Sequence, residues 1–118
     1  MYIACAVLPV SEGNKQQYLE AAEWMANWSI ERGALEVMEA WEVEVPDGKT
    51  TDYRRAVAAE PGEKIVTGWV IWPDKATFDK ANEAMMNGEG MPDEPGDMPF
   101  DGKRLIYGGF EPVLHKRA

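Results

Sequence analysis

Lys64-Ile65-Val66-Thr67-Gly68-Trp69-Val70-Ile71-Trp72 decides the fold. It is the strongest strand signal in the chain. In an extended segment, successive side chains point to opposite faces. Ile65, Trp69 and Ile71 therefore share one face, and Val66, Val70 and Trp72 share the other. A strand apolar on both sides must be covered on both sides. One cover comes from helices of the same chain. The other has to come from somewhere else.

Downstream, Pro73-Asp74 opens a helix, with Asp74 as N-cap. Phe78, Ala81 and Met85 follow at i, i+3 and i+7, a narrow stripe suited to one-sided packing, and Asn87-Gly88 ends the helix. Residues 87–97 are acidic and rich in Pro and Gly, and are read as a flexible loop rather than an ordered lid. Pro99 and Asp101-Gly102 then steer the chain into a last strand over Arg104–Leu114. Asp101 orders its own turn, and Gly108-Gly109 mark a bulge or a close approach.

Upstream, Glu60-Pro61-Gly62-Glu63 and Pro46-Asp47-Gly48-Lys49 are turns, and Tyr53–Ala59 between them is read as a short strand. Ala34–Val45 reads as a strand with Trp41, Val43 and Val45 on one face. At the start of the chain, Tyr2–Val10 is almost wholly apolar and reads as a strand buried on both faces. Asn14 with Gln17 resembles a capping box. The helix it opens runs to about Arg32 and stops at Gly33. Its apolar surface is wider than one sheet requires: Tyr18, Ala22 and Met25 form one line, flanked by Leu19, Ala26 and Ile30 on one side and by Trp24 and Trp28 on the other.

The order is β-α-β-(β)-β-α-β. This predicts an α+β fold, a ferredoxin-like β-α-β-β-α-β sandwich occupying residues 1–118 as one domain. One sheet face lies under helices. The second is expected to meet the same face of another copy across a two-fold axis, giving a homodimer.

Charge narrows the partners. The formal net charge is −9, a poor start for nucleic-acid phosphates or anionic lipid, so neither nucleic acid nor membrane is expected. The Tyr2–Val10 run is too short to span a bilayer. The start of the chain lacks the cationic region of a secretory signal, and the one cysteine, Cys5, rules out an intrachain disulfide. A reducing cytoplasm is the expected location, with Cys5 as a small buried hydrophobe.

Several segments taken in order resemble the DUF1428 family, the YbaA-type small bacterial proteins. They are Gly33-Ala34-Leu35-Glu36, Val45-Pro46-Asp47-Gly48-Lys49 with Asp52-Tyr53-Arg54, Ala56-Val57, Trp69, Asn82, Met85-Met86, and Met98–Phe110. The resemblance implies a dimeric α/β-barrel built from ferredoxin-like subunits, and brings no established activity with it. One departure stands out. Where the family has an Asp-Pro-Arg-Met-like segment after the second helix, this chain has Asn87-Gly88-Glu89-Gly90-Met91 and no arginine.

Candidate chemistry is sparse. One histidine and one cysteine give no spaced metal cluster, so neither metal nor cofactor is expected. Glu39 shares its predicted face with Trp41 and Val43, where lost hydration would raise its pKa toward a useful range. The alternative is a Glu39 paired with Arg54, Arg55 or Arg104, or one simply at the strand edge. Arg54 either holds its turn or the partner chain, or grips a carboxylate. Trp69 and Tyr107 either line a pocket or pack in the core or a dimer contact, and Arg104 completes the set. Glu39, Arg54, Trp69, Arg104 and Tyr107 are thus the ligand-binding candidates, with no catalytic residue assigned. The function expected is binding or transformation of a small aromatic or carboxylated molecule between sheet and helices. The alternative is a non-enzymatic accessory or ligand-sensing dimer.

Overall fold

The computed structural model describes residues 1–92 and 98–118. Its elements are strand β1 (Tyr2–Ser11), helix α1 (Lys15–Glu31), strand β2 (Glu36–Trp41), a one-turn helix α2 (Tyr53–Ala56), strand β3 (Glu63–Trp72), helix α3 (Lys75–Met86) and strand β4 (Ile106–Phe110). The fold is α+β: one four-stranded sheet in the order β2-β3-β1-β4, every pair antiparallel, with three α-helices. The deciding stretch is β3, bonded to β1 over its whole length and to β2 over half of it.

Directly paired residues of an antiparallel ladder point to the same face. Val66, Val70 and Trp72 therefore share a face with Tyr2, Ala4 and Leu8, and α1 and α3 cover it. Tyr18 of α1 packs with Leu8, Val10 and Val66. Trp28 of α1 and Ala81 of α3 pack with Ala34 and Trp72. Asp74 caps α3 as expected, its carboxylate accepting from the Thr77 N–H at 2.7 Å. Gly33 ends α1 with φ +106°, where a β-carbon would also press on Thr77 Cγ2 at 2.8 Å.

The other face carries Ile65, Trp69 and Ile71 and is open: the sheet closes into no barrel within this chain. Only its end at Pro9 and Ile65 is buried, and the region of α2 lies there, with Tyr53 and Ala56 bordering a shallow groove against Val7 and Ile106.

Five local expectations are corrected. Tyr53–Ala59 is helical, not extended, over Tyr53–Ala56, because Asp52 caps a turn by accepting from the Arg55 N–H at 2.8 Å. The Arg55 guanidinium then fastens the preceding loop through Asp52 and the Gly48 and Thr50 carbonyls. β2 stops at Trp41 rather than Val45: Val43 is 97% exposed, so the alternation there meets no partner. β4 is likewise shorter than Arg104–Leu114, since Gly102–Arg104 form a 3-10 turn and Val113 and Leu114 stand out in solvent. Asn14 makes no side-chain cap; a 3-10 turn, Glu12–Asn14, leads into α1 instead. Cys5 is half-buried on the open face rather than a core residue.

Of the 87–97 loop, residues 93–97 lie outside the described residues. Residues 87–92 hold no regular structure but are fastened to α1. The Trp28 indole N–H donates to the Glu89 carbonyl at 2.9 Å, and Arg32 stacks on the Trp28 ring at 4.0 Å. Gly88 and Gly90 take φ +72° and +71°, conformations that favour glycine.

Candidate functional site

Under the helices, one cross-strand row runs Glu39–Gly68–Ala6–Tyr107 across all four strands. Its two central positions carry almost no side chain, so the row has a low floor between an acid at one sheet edge and a phenol at the other. The Glu39 carboxylate leans inward over that floor. A β-carbon added at Gly68 would sit 2.9 Å from Glu39 Oε2 and 2.9 Å from the Met38 carbonyl oxygen. The glycine is thus what makes room for the acid.

Tyr18 descends from α1 to meet it, its hydroxyl donating to Glu39 Oε2 at 2.8 Å. The Tyr18 ring is buried and meets Phe100 edge-on at 5.9 Å. Trp41, the next residue along β2 on this face, carries Lys15 over its ring at 5.0 Å. The Glu39 residue as a whole is exposed, because its stem sits on an edge strand, while its carboxyl end is folded under α1. The packing around that end sets its proton affinity. Loss of hydration raises the Glu39 pKa above the ordinary carboxylate range, and the Tyr18 hydrogen bond only partly offsets this. The same burial, with the carboxylate beside it, pushes the Tyr18 phenol well above its usual value. The pair can hold a proton on the acid, or take one from a neighbour, while the phenol stays a donor.

The five sequence candidates do not converge. Glu39 and Tyr107 share this row from opposite edges, and Tyr107 is 83% exposed. Trp69 lies on the opposite sheet face, its indole N–H reaching Glu36 at 3.3 Å. Arg54 spans Glu42 at 3.3 Å and the Glu63 and Glu60 carbonyls at 3.0 Å each. Arg104 grips both oxygens of Glu63 at 2.7 Å, and also bonds Asp101 and the Ala58 carbonyl. The Arg104 hydrogen bonds hold the Glu63 pKa below the usual range. Both arginines thus fasten the α2 region and the turn before β4 onto the start of β3. None of Arg54, Arg55 and Arg104 is the partner of Glu39.

Tyr18 and Gly68 were missed by sequence reasoning. Tyr18 was absorbed into an apolar helix line. Gly68 carried a usable signal: a glycine inside an otherwise ideal strand marks a close approach.

Elsewhere, a cleft of about 890 Å³ lies between the end of α1 and α3, bordered by Arg32, Thr77 and Lys80 but also by Glu31, Glu83 and Glu89. Among the described residues, no group of three or more His, Cys, Asp or Glu is placed to hold a metal ion. Nor is any helix among them long and apolar enough to cross a membrane.

Residues 1–102 match the family described as "Protein of unknown function (DUF1428)". The chain is 44% identical over 113 residues to "Uncharacterized protein YbaA" of Escherichia coli K12, covering 96% of this chain and 97% of that protein. The same figures hold for the protein of that name in Shigella flexneri. With both the family match and a near full-length relative in hand, the chain belongs to the DUF1428 family.

Proposed function

We propose that this protein is a cytoplasmic homodimer of ferredoxin-like subunits, forming a dimeric α/β-barrel through their open sheet faces. Each subunit takes a small molecule between sheet and helices, at Glu39. The observation that carries the ligand reading is the Glu39 carboxyl, held over Gly68 by the Tyr18 hydroxyl at 2.8 Å. An acid kept partly dry beside a buried donor suits proton exchange with an uncharged, polarisable group. Of the two ligand classes the sequence left open, this favours an aromatic over a carboxylated one. An anion would face Glu39, and Arg54 and Arg104 are spent on Glu42 and Glu63.

Phenol and benzoate are suitable probes, followed through the backbone and Trp41 indole resonances. Phenol should move signals at Trp41, Gly68 and Ala6, and the shifts should vanish in Glu39→Gln. If neither probe perturbs that row, the ligand reading fails.

A second reading, a non-enzymatic accessory or sensing protein, rests on α1. Leu19, Trp24 and Ile30 are each more than two-fifths exposed there. Trp24 stands on the opposite flank of α1 from Leu19 and Ile30, and Trp28 beside it adds no exposed surface, being 4% exposed. This reading predicts that Trp24→Ser lowers partner recovery in a pull-down, and unchanged recovery would count against it.

A further inference from the structure

The open face resolves into three cross-strand rows. They are Glu36–Ile71–Ile3–Phe110, Met38–Trp69–Cys5–Gly108 and Ala40–Thr67–Val7–Ile106, each written from β2 to β4. Twelve positions carry one charge, Glu36, in a chain that is 28% charged. Met38, Ile106 and Phe110 are 43%, 46% and 57% exposed. At its ends the face has neighbours of its own chain: His115–Ala118 border Glu36 and Ile71 at the first row, and Tyr53 and Ala56 border Val7 and Ile106 at the third, while the middle row is uncharged. Two copies of a chain with net charge −9 repel each other in general, and this neutral face is where they approach at least cost.

Side-chain size is arranged unevenly within the rows. In the middle row the bulk, Met38 and Trp69, stands on β2 and β3, while β1 and β4 offer only Cys5 and Gly108. In the third row the order is reversed: small Ala40 stands on β2 and bulky Ile106 on β4. The small half of the middle row is a real depression. A groove of about 180 Å³ is bounded by Cys5, Val7, Ile106, Gly108 and Phe110.

A two-fold axis running along the strands, midway between β1 and β3, would set β2 against β4 and β3 against β1 of a second copy. Met38 then meets Gly108, Trp69 meets Cys5, and Ala40 meets Ile106, large against small in these three pairs, while the first row sets Ile71 on Ile3 and Glu36 on Phe110. An axis across the strands would set Trp69 on Trp69 and Gly108 on Gly108, leaving a clash beside a void. Filling without voids or overpacking is what separates a specific interface from loose adhesion.

We infer that two copies pack their open faces across an axis parallel to the strands, with Trp69 and Met38 of each seated over Cys5 and Gly108 of the other. This rests on the dimer reading above and assigns its register. Sheets packed face to face keep their strands nearly aligned, which either axis satisfies, so the match of side-chain sizes is what separates the two. The row at Pro9 and Ile65 takes no part, since it is already buried within its own chain.

The test mixes two single variants. Cys5→Trp sets tryptophan against tryptophan in its homodimer, and Trp69→Ala sets a void against Cys5. In a heterodimer of the two, one contact is Trp69 on Cys5 as in the wild type, and the other is the new Trp on the new Ala. Cys5 and Trp69 are also neighbours within one chain, but that coupling is the same in homodimer and heterodimer, so mixing cancels it. With one chain labelled by heavy nitrogen, native mass spectrometry reads the populations. The heterodimer should exceed the binomial share by about tenfold or more. Gly108→Leu mixed with Met38→Ala gives a second pair if Cys5→Trp fails to fold. Binomial mixing, with the wild type dimeric, overturns this register and leaves the dimer standing. A wild type that sediments as a monomer at every concentration overturns both.

Discussion

Replacing Gly68 by alanine tests the Glu39 arrangement most directly. The new β-carbon would sit 2.9 Å from Glu39 Oε2, 3.0 Å from its Cδ and 2.9 Å from the Met38 carbonyl oxygen. The carboxylate can swing away, but the carbonyl belongs to the neighbouring strand and gives only if the backbone moves. When the carboxylate leaves, the Tyr18 hydroxyl, in a residue 5% exposed, loses its acceptor. An unsatisfied buried hydroxyl costs about 1–3 kcal/mol. Crowding against backbone adds roughly 1 kcal/mol. Alanine recovers about 0.5–1 kcal/mol of the chain entropy that glycine loses on folding. The net expectation is a loss of about 2 kcal/mol, or a fall in Tm of roughly 8 °C for a chain of this length. Calorimetry and urea unfolding would measure it. Measured against Glu39→Ala, the Glu39→Ala/Gly68→Ala double variant should lose only the backbone share, because Tyr18 has already lost its acceptor there. A Gly68→Ala protein within about 0.5 kcal/mol of the wild type, or more stable than it, would refute the claim that this glycine seats the acid.

Four further outcomes follow from the contacts described above. Tyr18→Phe removes the hydrogen bond that holds Glu39 down, so the Glu39 carboxyl ¹³C titration should move to higher pH; a lower or unchanged midpoint contradicts the pairing. Because the folded Glu39 pKa lies above its unfolded value, the wild type should lose stability as pH rises from the ordinary glutamate range through that raised value, and Glu39→Gln should flatten this slope. Arg104→Met should lower Tm at neutral pH, with the deficit shrinking in acid: the Glu63 pKa is depressed, so its stabilisation is present above the unfolded value and vanishes as pH falls through the folded one. Gly109→Ala would place a β-carbon 1.6 Å from the Tyr2 hydroxyl oxygen and displace a ring now 4.8 Å from Phe78, for a loss of about 2 kcal/mol in denaturant unfolding and a changed near-ultraviolet dichroism.

The architecture was legible because its signals are repeated. Val66, Val70 and Trp72 alternate with Ile65, Trp69 and Ile71 over a full strand, and Asp74 and Gly33 punctuate the helices where the chain turns. Signals carried by one or two residues misled. Val43 and Val45 continue the β2 alternation, but an alternation is a strand only while a neighbour pairs with it, and the last backbone bond to β3 is the Glu42 N–H to the Ile65 carbonyl at 2.8 Å. Tyr53–Ala59 has a strand's composition, yet one capping bond from Asp52 outweighs it. The site was legible only in part. Glu39 was picked out by its apolar neighbours, but its partner Tyr18 lies 21 positions away and looked like any core aromatic. Arg54 and Arg104 looked free in a one-dimensional reading because Glu42 and Glu63, their acceptors, lie 12 and 41 positions from them.

The fastening of the Glu89 segment to α1 has a consequence for how the molecule breathes. The Trp28 indole reaches 61 positions forward to the Glu89 carbonyl, while Ala34 N–H closes back on Ser29 at 3.0 Å. These bonds tie the last turn of α1 to the segment after α3, despite their distance in sequence, and the two are expected to open as one cooperative unit. Their amides should exchange with solvent as a single group, and whatever loosens Glu89 will fray the end of α1 with it.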